Sequence, residues 1–127
     1  MKKVVLFVDD DGDDVELTLM GFKQLQFEEE IVVARDGVEA LTILEKSPAP
    51  AVVLTDIKMP RMDGLELLRR IKQDPRLKDI PVALLTSSGH EEDRKAAMKL
   101  GAVTYMRKPS SLNGYSEVVD ALRDLLK

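Results

Sequence analysis

The chain has 127 residues, of which 44% are hydrophobic and 33% are charged, with a net charge of −4 and no cysteine. This length is typical of one globular domain, and the absence of cysteine excludes disulfides and thiolate metal sites, which suits a reducing cytoplasm. The acidic charge balance disfavours nucleic-acid binding, and no apolar run is long enough for a signal peptide or a membrane span. We therefore expect a single cytoplasmic domain over residues 1–127 that binds neither nucleic acid nor membrane.

Short apolar runs alternate with longer amphipathic runs along the chain. The apolar runs are Val4–Val8, Ile31–Ala34, Ala51–Thr55, Val82–Leu85 and Ala102–Met106. Because they are short and mostly β-branched, they are typical of strands that are covered on both faces of a sheet. Each is followed by a run with helical spacing of apolar residues, which extends over Val15–Gln26, Val38–Leu44, Leu65–Ile71, more weakly Glu91–Leu100, and Val118–Leu125.

The order is therefore strand then helix, five times, with glycines and prolines between the elements. This alternation predicts an α/β fold, in which a doubly wound, five-stranded parallel sheet lies between two layers of helices. In such three-layer folds, ligands bind at the carboxyl ends of the strands. We therefore expect the functional side chains at those ends.

Polar side chains follow four of the predicted strands. Asp9 and Asp10 come after the first strand and Asp56 after the third, while Thr86 comes after the fourth strand and Lys108 after the fifth. Two carboxylates about 4 Å apart repel by about 4 kcal/mol at an effective dielectric constant of about 20, so the three aspartates need a cation or raised pKa values. Mg²⁺ favours such oxygen ligands, and no His or Cys accompanies them to indicate zinc. A carboxylate nucleophile beside Mg²⁺, an ammonium and a hydroxyl suits phosphoryl transfer.

Ordered motifs extend this pattern over nearly the whole chain. They are Val8–Asp11 (VDDD), Leu54–Gly64 (LTDIKMPRMDG), Pro81–Ser88 (PVALLTSS), Gly101–Ala102 and Lys108–Pro109. Together they resemble the receiver domains of two-component response regulators, whose fold is flavodoxin-like (CheY-like). Asp13 with Asp14, the segment IKQDPRLKDIPV and Thr86–Ser88 are similar to stand-alone receivers associated with phytochrome-type histidine kinases.

The resemblance implies a role for each matching position in phosphoryl transfer. Asp56 matches the phosphoacceptor, and Lys108 matches the lysine that binds the phosphoryl group. Asp10 matches the direct Mg²⁺ ligand, and Asp9 matches an acidic residue that acts on the ion largely through water. Lys58 matches the position whose backbone carbonyl completes the metal site, although its long cationic side chain departs from the usual pattern.

The resemblance also implies a conformational switch and a set of partners. Thr86 matches the switch hydroxyl and Tyr105 the switch aromatic. The phosphoryl donor would be a sensor histidine kinase, including one of phytochrome type, or a phosphotransfer protein. The face that changes would bind a partner or a second copy of the chain through the fourth helix, fifth strand and fifth helix. Its candidate residues are Arg94, Met98, Tyr105, Arg107 and Val118.

Two details near the end of the chain concern the loop after the fifth strand. The family has a cis peptide bond at the position of Lys108–Pro109, which a bond before proline permits. Ser111 stands where a large apolar residue is frequent, so we expect a different packing of the loop 110–114. The packing of this loop bears on the choice of partner and leaves the phosphorylation chemistry unchanged.

Two other functions remain open at this point. The run Leu6–Gly12 (LFVDDDG) imitates the Asp-x-Asp signature of haloacid-dehalogenase-type phosphatases, which would make Asp9 the nucleophile and Asp11 the acid/base. That reading leaves Asp56 without a role, and capping of a helix is the favoured role of Asp11. The other alternative is a pseudo-receiver that binds partners without being phosphorylated. His90 is expected to be exposed at the start of the fourth helix, with no catalytic role.

Overall fold

The computed structural model describes residues 2–127, and within that range five strands alternate with five α-helices. The strands are β1 (Val4–Val8), β2 (Glu30–Ala34), β3 (Val52–Thr55), β4 (Val82–Thr86) and β5 (Thr104–Arg107). The helices are α1 (Gly12–Gln24), α2 (Gly37–Lys46), α3 (Gly64–Gln73), α4 (Glu91–Lys99) and α5 (Tyr115–Leu125). A short 3₁₀ helix at Leu112–Gly114 precedes α5. The predicted alternation of strands and helices is confirmed.

The five strands of residues 2–127 form one parallel sheet in the order β2-β1-β3-β4-β5. Val8 at the end of β1 pairs with Thr55 at the end of β3, and Thr86 at the end of β4 pairs with Arg107 at the end of β5. The carboxyl ends of these strands are therefore level at one edge. The direction of winding reverses between β1 and β3, which opens a crevice at that edge.

Helices cover both faces of the sheet. Successive residues of a strand point to opposite faces, so Leu6 and Val8 enter the core beneath α2, α3 and α4, whereas Val5 and Phe7 enter the core beneath α1 and α5. Strands β3 and β4 are buried along their whole length. The doubly wound three-layer fold that the apolar runs predict is thus the observed one.

Helix α1 ends earlier than its apolar pattern predicts. The predicted pattern continues to Gln26, but the helix stops at Gln24 and Gln26 has a φ of 58°. The N–H of Gln26 donates to the carbonyl of Lys23 (3.1 Å), and the N–H of Phe27 donates to the carbonyl of Phe22 (2.9 Å). These are the two hydrogen bonds of a Schellman motif. The rings of Phe22 and Phe27, 5.2 Å apart, supply its apolar contact.

Helix α4 is less buried than the other helices, as its weaker apolar pattern predicts. Its buried residue is Ala97, and Met98 is 41% exposed. His90 immediately precedes the helix and is exposed, as expected. Among residues 2–127, no helix combines the length and the apolar character that a bilayer span requires.

Candidate functional site

The strand ends carry the predicted polar side chains to one edge of the sheet. The N–H of Asp56 donates to the carbonyl of Val8 (2.9 Å), and the N–H of Lys108 donates to the carbonyl of Thr86 (2.8 Å). These bonds extend the strand ladders by one residue. Because Asp9 directly follows β1, it enters the same edge between β2 and β3.

Three carboxylates form a cluster at this edge. Asp9, Asp10 and Asp56 each offer an oxygen, and these oxygens lie within 4.8 Å of one another. Asp9 is fully buried, Asp56 is 6% exposed and Asp10 is exposed. Oxygen donors at this spacing suit a hard divalent cation that keeps some of its water ligands. The structure therefore brings together the three side chains that the sequence nominates as metal ligands.

Asp9 shows that this cluster lacks sufficient positive charge by itself. Burial raises the pKa of Asp9 despite the nearby ammonium of Lys108. Lys108 Nζ lies 2.8 Å from Asp9 Oδ2, but this ion pair does not have hydrogen-bond geometry. Among residues 2–127, this buried oxygen has no hydrogen-bond partner. A bound cation would satisfy it, so the residues present fit a divalent ion.

Lys108 supplies the fixed positive charge of the site. Its Nζ lies 2.8 Å from Asp56 Oδ2 and 2.7 Å from Asp14 Oδ2. Burial by itself would lower the pKa of Lys108, but the hydrogen bonds to Asp14 and Asp56 and the ion pair with Asp9 outweigh it and hold that pKa above its usual range. The ammonium is therefore charged at any physiological pH and faces Asp56.

The loop between β3 and α3 packs tightly against Asp56. Asp56 Oδ1 accepts a hydrogen bond from the N–H of Ile57 (2.7 Å), and the N–H of Gly64 donates to the carbonyl of Ile57 (2.7 Å). A Cβ atom at Gly64 would lie 1.9 Å from the backbone oxygen of Asp56. Lys58 lies on this loop with an exposed side chain, and the metal contact of its carbonyl stays a prediction.

An ion pair between the buried Asp36 and the exposed Arg61, which the sequence reasoning missed, holds the same loop against α2. Asp36 caps α2 by accepting the N–H of Glu39 (2.9 Å), and its Oδ2 lies 2.7 Å from Arg61 Nη2. Burial acts to raise the pKa of Asp36, but the hydrogen bonds from Glu39 and Arg61 outweigh it, and the pKa is lowered. Arg61 has a φ of 67°, an uncommon conformation for a side chain of this size. This pair connects two loops at the edge that carries the site.

Ser88 connects the two residues that the resemblance assigns to a switch. Thr86, which is buried, accepts the N–H of Ser88 through its Oγ1 (3.1 Å). The half-buried Tyr105 donates its hydroxyl to the carbonyl of Ser88 (3.1 Å). The hydroxyl of Ser88 in turn contacts Asp93 Oδ2 in the first turn of α4 (2.6 Å). The resemblance gives a switch role to Thr86 and Tyr105, whereas Ser88 enters it only as part of a motif.

The acidic residues after Asp10 divide into a cap and a site residue. Asp11 caps α1, as expected, by accepting the N–H groups of Asp13 (2.9 Å) and Asp14 (3.1 Å). Asp13 is exposed. Asp14, which was not nominated for the site, lies against Lys108. The available signal was position in the chain, since Asp14 lies in the first turn of α1, directly after the strand end that carries Asp9 and Asp10.

Two expectations near the end of the chain are wrong in this structure. No peptide bond within residues 2–127 is cis, so the implied cis bond at Lys108–Pro109 is not observed; the trans form is the lower-energy isomer before proline. The resemblance implies that Val118 belongs to the partner-binding face of α4, β5 and α5, but Val118 is 2% exposed and packs in the core beneath α1 and α5. Val118 lies on the inward stripe of α5, which faces the sheet rather than solvent.

Comparison with known proteins places this geometry in a family. A family model described as the response regulator receiver domain matches residues 5–120. Response regulator Rcp1 of Synechocystis sp. is 36% identical over 126 residues, which span 94% of this chain and 86% of Rcp1. The structure of its Mn²⁺-bound form superposes with a TM-score of 0.83 at 35% identity, covering 96% of this chain and 92% of that one.

A second solved structure extends the similarity to a phosphorylated protein. The phosphorylated cyanobacterial phytochrome response regulator RcpA is 30% identical, with a TM-score of 0.87 over 99% of this chain and 94% of RcpA. The predicted resemblance to phytochrome-associated receivers is thereby confirmed. The chain belongs to the response regulator receiver domains, a family of two-component signalling domains.

Proposed function

We propose that Asp56 accepts a phosphoryl group from a sensor histidine kinase, of phytochrome type or another, or from a phosphotransfer protein. The observation that carries this proposal is the contact between Lys108 Nζ and Asp56 Oδ2 (2.8 Å) beside carboxylate oxygens that lie within 4.8 Å of one another. RcpA, a relative of similar structure, has been obtained in a phosphorylated form. On this proposal residues 1–127 act as one receiver domain in the cytoplasm.

The cofactor that we propose for this reaction is Mg²⁺. Asp10 and Asp56 would hold it through carboxylate oxygens, Asp9 largely through water, and Lys58 through its backbone carbonyl. Two observations support a divalent ion at this edge: Asp9 Oδ2 is buried without a hydrogen-bond partner among residues 2–127, and Rcp1 has a Mn²⁺-bound form. When bound, the ion neutralises negative charge on the phosphoryl oxygens.

The side chains divide the work of the transfer. A carboxylate oxygen of Asp56 forms a bond to phosphorus as the nitrogen–phosphorus bond of the donor's phosphohistidine breaks and the imidazole leaves. The N–H of Ile57 orients Asp56 by donating to its Oδ1 (2.7 Å). Lys108 stabilises the oxygens of the moving group with its ammonium. Thr86 uses its Oγ1 to accept the N–H of Ser88, so its own proton can be donated to a phosphoryl oxygen.

Ser88 gives this transfer a route to the surface. A phosphoryl group on Asp56 adds about −1.5 to −2 charge near neutral pH, by analogy with phosphoserine. Movement of Thr86 toward that charge would break its bond to the N–H of Ser88 and shift the residue whose carbonyl holds Tyr105. The surface formed by α4, β5 and α5 would then change its affinity for a partner or for a second copy of the chain.

The dehalogenase-type alternative fits the geometry poorly. Asp11, its required acid/base, caps α1 with its side-chain oxygen instead. Asp56, to which it gives no role, contacts Lys108 inside the carboxylate cluster. These contacts support Asp56 rather than Asp9 as the nucleophile.

Intact-mass measurement tests the nucleophile. After incubation with Mg²⁺ and acetyl phosphate, the parent should gain the mass of one phosphoryl group and Asp56→Asn should not. Asp63→Asn is the matched control, since Asp63 caps α3 and is exposed, and asparagine caps equally well. Phosphorylation of Asp56→Asn but not of Asp9→Asn would establish the dehalogenase-type assignment. A parent that never gains a phosphoryl group would instead be a pseudo-receiver.

Spectroscopy at Tyr105 tests the switch. Beryllofluoride with Mg²⁺ mimics the phosphorylated aspartate, and it should change the NMR signals of Tyr105 in the parent protein. Thr86→Ala should still bind beryllofluoride but leave those signals largely unchanged. An equal change at Tyr105 in Thr86→Ala and in the parent would refute the coupling through Thr86.

A further inference from the structure

Asp14 contacts the site but has no role in the transfer described above. Its Oδ2 accepts a hydrogen bond of 2.7 Å from Lys108 Nζ, which lies 2.8 Å from Asp56 Oδ2. The side chain of Asp14 is 38% exposed, whereas that of Lys108 is 8% exposed. A partly solvated carboxylate therefore shares the lysine with the buried acceptor.

The start of α1 directs Asp14 toward this lysine. The cap residue Asp11 accepts the N–H of Asp14 and so orders the first turn. Side chains of a helix lean toward its N-terminus, which here is the edge of the sheet that carries the site. The neighbouring Asp13 is exposed, and within residues 2–127 its side chain has no ion pair.

The ammonium of Lys108 already contacts three carboxylates before any phosphoryl group arrives. It donates hydrogen bonds to Asp14 Oδ2 (2.7 Å) and Asp56 Oδ2 (2.8 Å), and Asp9 Oδ2 lies 2.8 Å away as an ion pair without hydrogen-bond geometry. A phosphoryl oxygen that approaches Nζ therefore competes with these carboxylates for the ammonium. Asp9 is fully buried and cannot exchange the lysine for water, whereas Asp14 can. Displacement of Asp14 is the least costly.

We propose that Asp14 is a positioning residue, which holds Lys108 at the unphosphorylated acceptor and competes with the phosphoryl group for its ammonium. This inference rests on the proposed function, because it takes Asp56 as the phosphoacceptor. Asp14 thereby stabilises the unphosphorylated state relative to the phosphorylated one. Removal of its charge should favour an anionic group on Asp56.

Beryllofluoride binding at saturating Mg²⁺ measures this competition. Asp14→Asn should bind beryllofluoride about fivefold more tightly than the parent. This change in affinity corresponds to the upper end of the free energy that an ion pair with a solvated partner contributes. Asp14→Glu keeps the charge and should restore the affinity of the parent. Asp13→Asn is the matched control, because it removes the same charge from the same helical turn without touching Lys108, and its affinity should stay near that of the parent.

A measurement on metal-free protein distinguishes the positioning of Lys108 by Asp14 from a general effect of the negative charge of Asp14. In metal-free protein, the NMR signal of the Lys108 ammonium should shift or broaden in Asp14→Asn and keep its parental position in Asp13→Asn. Should Asp14→Asn not fold, Asp14→Ser provides a second uncharged variant. Equal behaviour of the Asp14 and Asp13 variants in both measurements would overturn the inference alone. A parent that does not bind beryllofluoride would overturn the proposed function, and the inference with it.

Discussion

Substitution of Gly64 by alanine should destabilise the protein, because the backbone of Asp56 occupies the space that a side chain needs. A Cβ at this position would lie 1.9 Å from the carbonyl oxygen of Asp56 and 2.8 Å from its carbonyl carbon. Ordinary contact between heavy atoms requires about 3.5 Å. The strand end or the loop would therefore have to move by more than an ångström.

The cost can be estimated from the two opposing effects. Overpacking costs typically about 1–3 kcal/mol, and a clash with backbone belongs at the upper end of that range. The higher helix propensity of alanine offsets at most about 1 kcal/mol of this cost. The expected net loss of unfolding free energy is therefore about 2 kcal/mol. For 127 residues the unfolding entropy is about 0.27 kcal/mol per kelvin, which converts this loss into a melting temperature lower by about 7 °C.

Gly12→Ala is the matched control for this substitution. Gly12 and Gly64 each follow an aspartate cap as the first residue of a helix, but a Cβ at Gly12 would meet its nearest atom, Arg35 Nη1, at 3.8 Å. This variant should be as stable as the parent or up to about 1 kcal/mol more stable. Urea and thermal unfolding, followed by circular dichroism in metal-free buffer, measure both. Equal stability of Gly64→Ala and Gly12→Ala would refute the steric argument.

Three further changes test the fold and its pH dependence. Gln26→Gly should raise the unfolding free energy by about 1 kcal/mol in urea titrations, because Gln26 has a φ of 58° and glycine adopts that conformation without strain; an unchanged or lower value would contradict this. Tyr115→Phe leaves the buried hydroxyl of Thr18 without its partner at 2.9 Å and should cost about 1–3 kcal/mol at neutral pH. Burial is the main cause that raises the pKa of Tyr115. The stability difference between the parent and Tyr115→Phe should therefore shrink as the pH rises above 10.0, the ordinary pKa of tyrosine. A difference that stays constant with pH would contradict this expectation. Asp36→Asn keeps a good cap but removes the charge that faces Arg61. Because the pKa of Asp36 is lowered from 3.8, the parent should be more stable than this variant by a full, constant amount above pH 3.8, and this difference should disappear on acidification below it. Equal stability of the two proteins at pH 7 would show that the ion pair contributes nothing.

Local patterns in the sequence were sufficient to predict the architecture. Short apolar runs that alternate with helical spacing leave few arrangements other than a parallel sheet between helices. The same rule brings the strand ends to one edge, which is why Asp9, Asp56 and Lys108 could be nominated together. Their nomination needed no knowledge of how any helix packs, because strand-end residues are positioned by the sheet itself.

Only the tertiary structure decided which side chains on helices and loops meet. These contacts join residues that are distant in the chain. Lys108 reaches Asp14 across 94 positions, and Arg61 reaches Asp36 across 25. Periodicity predicts which face of a helix is apolar, but it does not specify the rotation and height at which that helix meets the sheet edge. A polar residue at the border of that face can therefore point to solvent or into the site with the same sequence pattern, and the packing of the assembled core selects between the two.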